Sequence, residues 1–224
     1  EFVWVPTGCF QMGSSSGDDD EKPVHEVCVD GFWMGKTEVT QGQWKAIMGS
    51  NPSHFKKGDR YPVEEVSWNN CRLFIRKLNS RSGRQFRLPT EAQWEYAARG
   101  GVPDQRYSGS NSVDLVAWYR SNSGDHTREV GLKRPNGFGL YDMSGNVWEM
   151  CVDLYDEKAY SRHTRLNPVI TSAVRRRGRV VCVCRGGSWN GRSKHVRSAN
   201  RNWYPAGNAY KHLGFRLCVI KGKR

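Results

Sequence analysis

Apolar positions recur along this chain with two different periods, and each change of period marks an element. In FVWVPTGCFQM, from Phe2 to Met12, they form two short β-like runs broken at Pro6-Thr7-Gly8, which reads as strand, turn, strand. The polar, acidic stretch from Gly13 to Lys22 has no apolar period and reads as loop. VHEVCVDGFWMGKTEVT, from Val24 to Thr40, alternates and predicts further strand. The helical period begins at Thr40. Thr40-Gln41-Gly42-Gln43 has the form of a capping box, in which a Thr hydroxyl and a Gln three residues on satisfy each other's backbone donors. It predicts a short helix through Met48, followed by a loop over residues 49–63. Ser67 caps a second helix, whose Trp68, Cys71, Phe74, Ile75 and Leu78 share one face and which ends near Gly83. Thr90-Glu91-Ala92-Gln93 is another capping box, opening a helix that carries Trp94, Ala97 and Ala98 and stops at Gly100-Gly101. Beyond Gly101, Gly, Asn, Ser and Pro recur too often for long helices, so short strands held by extended loops are expected. No internal repeat and no linker divides the chain. The pattern describes one α+β domain over residues 1–224.

Composition adjusts this picture in three ways. Hydrophobic content of 37% is low, but nine Trp, nine Tyr and eight Phe can bury enough area for a core if they point inward. No apolar run is long enough for a transmembrane helix. The chain begins at Glu1 rather than Met, which raises the expectation of a removed export signal or lipid anchor, and so of an extracytoplasmic protein such as a bacterial cell-surface lipoprotein. The net charge of +13 is uneven, because residues 161–224 hold 16 Lys and Arg and no Asp or Glu. That asymmetry points either to an acidic partner, nucleic acid included, or to pairing with acids of the first 160 residues. The second reading is preferred. Arg175-Arg176-Arg177 reads as a solvated loop.

Candidate chemistry is sparse. Seven cysteines lie at 9, 28, 71, 151, 182, 184 and 218, without the Cys-x-x-Cys spacing of a zinc ribbon. Cys182 and Cys184 alternate on a β-like stretch and share a face. A disulfide such as Cys9–Cys28 is open to an exported protein, but the sequence does not assign one. There is no Gly-x-Ser-x-Gly, no His-Glu-x-x-His and no phosphate-cradling glycine loop. The six histidines are dispersed and read as surface residues.

Seven blocks nevertheless resemble one family. FVWVPTGCFQMGS, KTEVTQGQW, PVEEVSWNNCRLF, FRLPTEAQWEYAARGG, PNGFGLYDMSGNVWEM, RGGSW and LGFRL stand in the order of the formylglycine-generating-enzyme-like, or sulfatase-modifying-factor, domain, from about Phe2 to Val219. The resemblance implies a C-type-lectin-like fold elaborated with two main helices, with Trp94, Trp118, Trp148 and Trp189 in its core. Catalytic members oxidise a cysteine of a client sulfatase with a copper-binding cysteine pair placed shortly after Gly-Gly-Ser-aromatic, and Cu(I) prefers such sulfur ligands. Here Gly191 and Val196 stand at those positions, and no cysteine lies between Trp189 and Leu217. The resemblance therefore implies a member without that catalysis and without copper. It also implies a calcium loop, with the Asp142 side chain, the Gly145 and Val147 carbonyls and Glu149 as oxygen ligands. The alternative for Glu149 is an ion pair with an arginine. A second calcium loop of the family, near Ala117 to Val130, matches poorly.

The segment from Arg185 to Leu217 has orderly ends and an aperiodic middle. In this it resembles the Treponema-type variable proteins of diversity-generating retroelements, whose asparagine codons are rewritten at adenines. Cys184, Gly191, Arg192, Ser193, His195, Tyr204, Ala206, Asn208, Tyr210 and His212 all belong to the set reachable from an Asn codon. Lys194, Trp203 and Lys211 do not, and are expected as framework, with Trp203 at least half buried. Side chains free to take any size cannot lie in a close-packed core, so the ten are expected to share one solvent-facing surface. Tyr with Ser, Gly and Asn suits recognition, as in antibody loops. The resemblance thus implies a monomeric, non-catalytic binding protein for an acidic or aromatic-rich protein or cell-surface ligand, with nucleic acid a minor option. The alternatives are another accessory member of the family or a cysteine-oxidising formylglycine-generating enzyme.

Overall fold

The computed structural model describes residues 1–172 and 175–220; positions 173–174 and 221–224 of the expected domain lie outside the described residues. The first strands are β1 (Phe2–Val5), β2 (Gly8–Met12), β3 (His25–Val29) and β4 (Phe32–Gly35). Their pairing is not sequential across Pro6-Thr7-Gly8, since β1 pairs with β4 and β2 with β3, both antiparallel. Cys9 faces Cys28 in that second register, and the two form a disulfide.

All three expected helices form where their caps stand. They are α1 (Gln41–Met48), α2 (Trp68–Ser82) and α3 (Glu91–Arg99). Thr40, Ser67 and Thr90 each close a capping box, with Gln43, Asn70 and Gln93, and left-handed Gly49, Gly83 and Gly100 end the helices. The remaining elements are short. They are β5 (Phe86–Arg87), a single turn α4 (Val113–Val116), β6 (Ala117–Trp118), β7 (Ser144–Gly145), β8 (Trp148–Leu154), β9 (Arg175–Arg176), β10 (Arg179–Arg185), β11 (Arg201–Pro205), β12 (Leu213–Gly214) and β13 (Cys218–Ile220). The arginine run read as a loop is instead half of a hairpin, with β9 paired to β10 across Arg177-Gly178. The turn α4 has no apolar period to announce it.

The two larger sheets run β1-β4-β13-β5 and β11-β10-β8-β12, with β9 on β10, and β2-β3 and β6-β7 form two-stranded sheets beside them. This is the α+β, C-type-lectin-like arrangement, with few helices, short strands and long loops. Two large apolar clusters fill it, and a smaller third gathers Tyr107, Val116, Ala117, Tyr119 and Val196. Of the large pair, one gathers Met12, Phe32, Met34, Trp94 and Tyr160; the other packs α1 and α2 onto the sheets. In the latter, Trp44 stacks on Phe74 at 5.1 Å and both meet Phe215 edge-on. Trp94, Trp148 and Trp189 are buried as expected. Trp118 is only half-buried, its ring covered by the Lys133 ammonium at 4.0 Å.

The C-terminal arginines are matched within the chain. Arg185 donates to Glu91 (2.6 Å) and Glu95 (2.5 Å), and Arg201 grips Glu91 through two bonds of 2.7 and 2.9 Å. Arg216 grips Glu149 through two of 2.6 Å, and Arg197 holds Glu21 at 2.8 and 2.5 Å. Arg162, Arg165 and Arg176 pair with Asp156, Glu26 and Glu157. Pairing with acids of the first 160 residues, the preferred sequence reading, thus accounts for seven of the excess cations.

Candidate ligand-binding surface

The surface begins with alternation on β11. Arg201, Trp203 and Pro205 turn to one face of the strand, and Asn202 and Tyr204 to the other. Arg201 is locked by Glu91, and Trp203 is half-buried beside Tyr155 at 6.1 Å. On the opposite face the chain turns after Pro205, where the Asn208 N–H donates to the Pro205 carbonyl and the Ala206 carbonyl accepts from the Asn69 N–H of α2. It then returns through Tyr210 and His212 to β12, beside β8.

Three rings meet there. Tyr204 lies 5.0 Å from Tyr210 and 5.5 Å from His212, while Tyr210 and His212 stack at 5.5 Å. The Tyr204 hydroxyl and His212 Nε2 are 3.0 Å apart, and the Asn208 amide donates to the Tyr210 hydroxyl at 2.9 Å. Tyr204, Ala206 and Tyr210 rest against the apolar cluster around α2, so each ring presents only part of its area. Burial, with Lys211 adjoining, pushes His212 below its ordinary value, and the ring is neutral near pH 7. The patch offers flat aromatic faces and amides to a ligand, without a nucleophile–base pair.

Gly191, Arg192, Ser193 and His195 form a second group, around a 3-10 turn at Ser193–Val196. Arg192 is exposed and the others are half-buried. The turn sits on Gly187 (φ 76°), where a Cβ would meet Val196 Cγ1 at 2.5 Å, so glycine is required. Val196 is itself buried against Tyr107, Val116 and Tyr119. Among the described residues no hydrogen bond or ring contact joins this group directly to the Tyr204–His212 patch, though Trp189, just before Gly191, donates to the Lys211 carbonyl. Cys184 belongs to neither. It is fully buried on β10, its Sγ 3.4 Å from Met150 Sδ, because alternation turns Cys182 and Cys184 toward the face that α2 covers. Of the expected framework, Lys211 and Lys194 are exposed; the Lys211 carbonyl accepts from the Trp189 indole at 3.0 Å.

The fold adds groups that sequence reasoning missed. Glu64 is buried, accepting from the Phe55 N–H at 2.7 Å, and the next residue, Glu65, ties the segment to the patch by donating its N–H to the Tyr210 carbonyl. Burial pushes Glu64 up to about 7. Only its place in PVEEVSW hinted at it, and that gives no burial. The histidines are not all dispersed surface residues, either. His25 Nε2 and His163 Nδ1 are 3.1 Å apart, and burial pushes His163 down to about 4.

The donors of the calcium loop expected at Asp142 to Glu149 are largely engaged within the protein. Both Glu149 oxygens are engaged, one by the Arg216 fork and the other by that fork and the Trp94 indole at 2.7 Å. Asp142 accepts from the Gly131 N–H with Oδ2 and leaves Oδ1 buried and unpartnered, and burial pushes it up to about 6. Among the described residues no three acidic, His or Cys side chains converge as ligands. With a guanidinium on Glu149, the ion-pair alternative is the one the geometry carries, and the Glu149 carboxylate as arranged has no oxygen free for a calcium ion.

The sequence model described as "Sulfatase-modifying factor enzyme 1-like domain" matches residues 1–221. The chaperone protein LppX of Paenibacillus barcinonensis is 35% identical over 67% of this chain and 70% of its own. The formylglycine-generating enzyme of Streptomyces coelicolor is 27% identical over 96% of this chain and 87% of its own. Treponema denticola variable protein 1 superposes with a TM-score of 0.84 at 29% identity, covering 97% of this chain and 94% of that one. No helix among the described residues is long and apolar enough to cross a membrane.

Proposed function

The chain belongs to the sulfatase-modifying factor enzyme 1-like domain family, and from that premise we propose that it is a non-catalytic ligand-binding protein, the variable protein of a diversity-generating retroelement. The observation that carries this reading is the Tyr204–Tyr210–His212 patch. Every one of its side chains is reachable from an Asn codon, and it stands against strands whose inward arginines are tied to buried acids. The likeness to a variable protein over nearly the whole chain supports it. Residues 1–224 are taken as one domain, because β13 lies between β4 and β5 and ties the end of the chain to its beginning.

Absence of cysteine oxidation rests on Gly191 and Val196 in place of the cysteine pair. The remaining thiols favour the same reading. Outside the disulfide every cysteine is buried, and burial pushes Cys182 up to about 12, Cys218 to about 11, and Cys71, Cys151 and Cys184 well above their ordinary value. Thiolates, not thiols, attack and bind copper. The Cys9–Cys28 disulfide supports an extracytoplasmic site of action, on a protein or cell-surface ligand.

The test is a library at Tyr204, Ala206, Asn208, Tyr210 and His212, selected against whole bacterial cells and against a purified acidic protein. Most members should melt near the parent temperature and differ in what they capture; wholesale unfolding of the library would sink the reading. Incubation with copper, oxygen and a sulfatase-motif peptide should leave the peptide mass unchanged.

A further inference from the structure

The hairpin of β9 and β10 breaks the charge pattern of the C-terminal region. Seven arginines beyond residue 160 pair with acids, yet Arg177 and Arg179 are exposed and have no acidic partner among the described residues. Arg177 holds φ 49° in the turn beside Gly178, and Arg179 opens β10 opposite Arg176. Beneath them lies a groove of about 690 Å³ lined by Arg176, Arg177, Arg179, Val181, Trp203 and Pro205. Its floor is made of the residues that alternate to the inward side of β11, so it opens on the face opposite Tyr204. Arg176 is fixed in the wall, paired with Glu157 and laid 5.1 Å from the centroids of both Tyr155 and Trp203.

These parts select a ligand by chemistry. Guanidinium forks bind planar or tetrahedral anions in bidentate fashion, and two of the three here are unspent. Trp203 with Val181 and Pro205 gives an apolar floor, which a bare anion would not use. Single-stranded nucleic acid needs a run of aromatic platforms, and the groove has one. The volume falls in the range of small-ligand sites. We propose that this groove binds an acidic saccharide, a sugar ring carrying sulfate or carboxylate, stacked against Trp203 and Pro205 and held at its anionic edge by Arg177 and Arg179. The site is independent of the Tyr204 patch.

The experiment is calorimetric titration of the whole protein with four probes: a heparin-type sulfated oligosaccharide, an oligogalacturonate, a neutral dextran of the same length, and anionic phospholipid vesicles. Either acidic oligosaccharide should bind and the dextran should not. The double variant Arg177→Ser/Arg179→Ser should weaken binding at least about tenfold, the worth of a lost charged hydrogen bond. Trp203→Phe, which keeps an aromatic ring in the wall, should weaken it by a smaller factor. Two controls should bind as the parent does: Lys56→Ser/Lys57→Ser, which removes as much exposed charge elsewhere, and Tyr204→Ala/Tyr210→Ala, on the other face. Binding to the vesicles alone, equal loss in the Lys56/Lys57 control, or no loss in the Arg177/Arg179 double variant would overturn the proposal.

Discussion

The two faces of β11 obey opposite rules. Inward, Arg201 is 5% exposed and spends its guanidinium on Glu91 and on the carbonyls of Asp20 and Asp156, in a network that also holds Arg185, Glu95 and Tyr160. Outward, Tyr204 finds its polar partners among its own neighbours, Asn202 and His212, and none of them is charged. The inward network concentrates charge where each member's loss strands another. The outward patch is a set of short-range contacts that can be exchanged without leaving a buried ion behind. One strand can therefore be rigid and permissive at the same time, with the alternation of a β-strand as the divider.

The largest expected effect comes from breaking the inward side. Arg185→Met leaves buried Glu91 with Arg201 and buried Glu95 with Arg99 as their remaining cations, and should lower the unfolding free energy by about 3–5 kcal/mol, read by urea denaturation. The same network sets an acid limit. Burial alone would raise Glu91, but Arg201 and Arg185 outweigh it and hold the carboxyl at about 2, against an ordinary 4.5. Its folded value is depressed, so its contribution is complete above pH 4.5 and fades as pH falls toward 2. Native protein should lose stability over that window, and the Arg185→Met variant should lose less of it. A variant as stable as the parent would remove the distinction between the two faces.

Glu64 lies between these extremes, buried like the network and tied to the patch through the next residue, Glu65. Its folded value is raised to about 7 by burial, so the sign is reversed. The stability it contributes is present below its ordinary 4.5 and is lost as pH rises through about 7. Glu64→Gln keeps the acceptor for the Phe55 N–H and removes the buried charge, so it should stabilise the protein above pH 7 by about 1–3 kcal/mol. Thermal melts at pH 5 and pH 8 check it, with the difference between them smaller in the variant. On the patch itself, Tyr210→Asn with His212→Asn should cost about 1 kcal/mol or less. A cost near that of Arg185→Met would make the patch part of the core.

What the sequence made legible was local. Thr40, Ser67 and Thr90 announce their helices because a cap stands just ahead of each; the boxes read at Thr40 and Thr90 formed, and the structure adds one between Ser67 and Asn70. The seven ordered blocks carried the fold class. Partners far apart in the chain were out of reach of periodicity: β1 with β4, the Arg216 fork on Glu149, and His25 against His163, 138 residues on. Cys184 shows the limit of codon logic. Reach from an Asn codon states which side chains can arise at a position, and nothing about whether α2 covers it. The alternation Cys182-Val183-Cys184 held the needed information, once β10 was known to lie inside a sheet with both faces packed.

The smallest expected effect concerns calcium, and it sharpens the boundary of the inward network. If Glu149 belongs to that network through Arg216, its carboxylate has no free oxygen to offer, and adding calcium or a chelator should leave the melting temperature unchanged. The orphaned Asp142 Oδ1 does not alter this expectation. Burial pushes Asp142 up to about 6 and its second oxygen already accepts from Gly131, so a single carboxylate with two carbonyls is a poor site for a cation that takes six to eight oxygens. The sharper comparison is with Asp142→Asn. It removes a buried acid beside Glu38, whose carboxyl burial and the charges of Asp142 and Glu149 push well up. This variant should be as indifferent to chelator as the parent and somewhat more stable above pH 6. A parent whose melting temperature rises with calcium and falls with chelator, with both responses lost in Asp142→Asn, would instead make Glu149 a shared ligand and detach it from the arginine network.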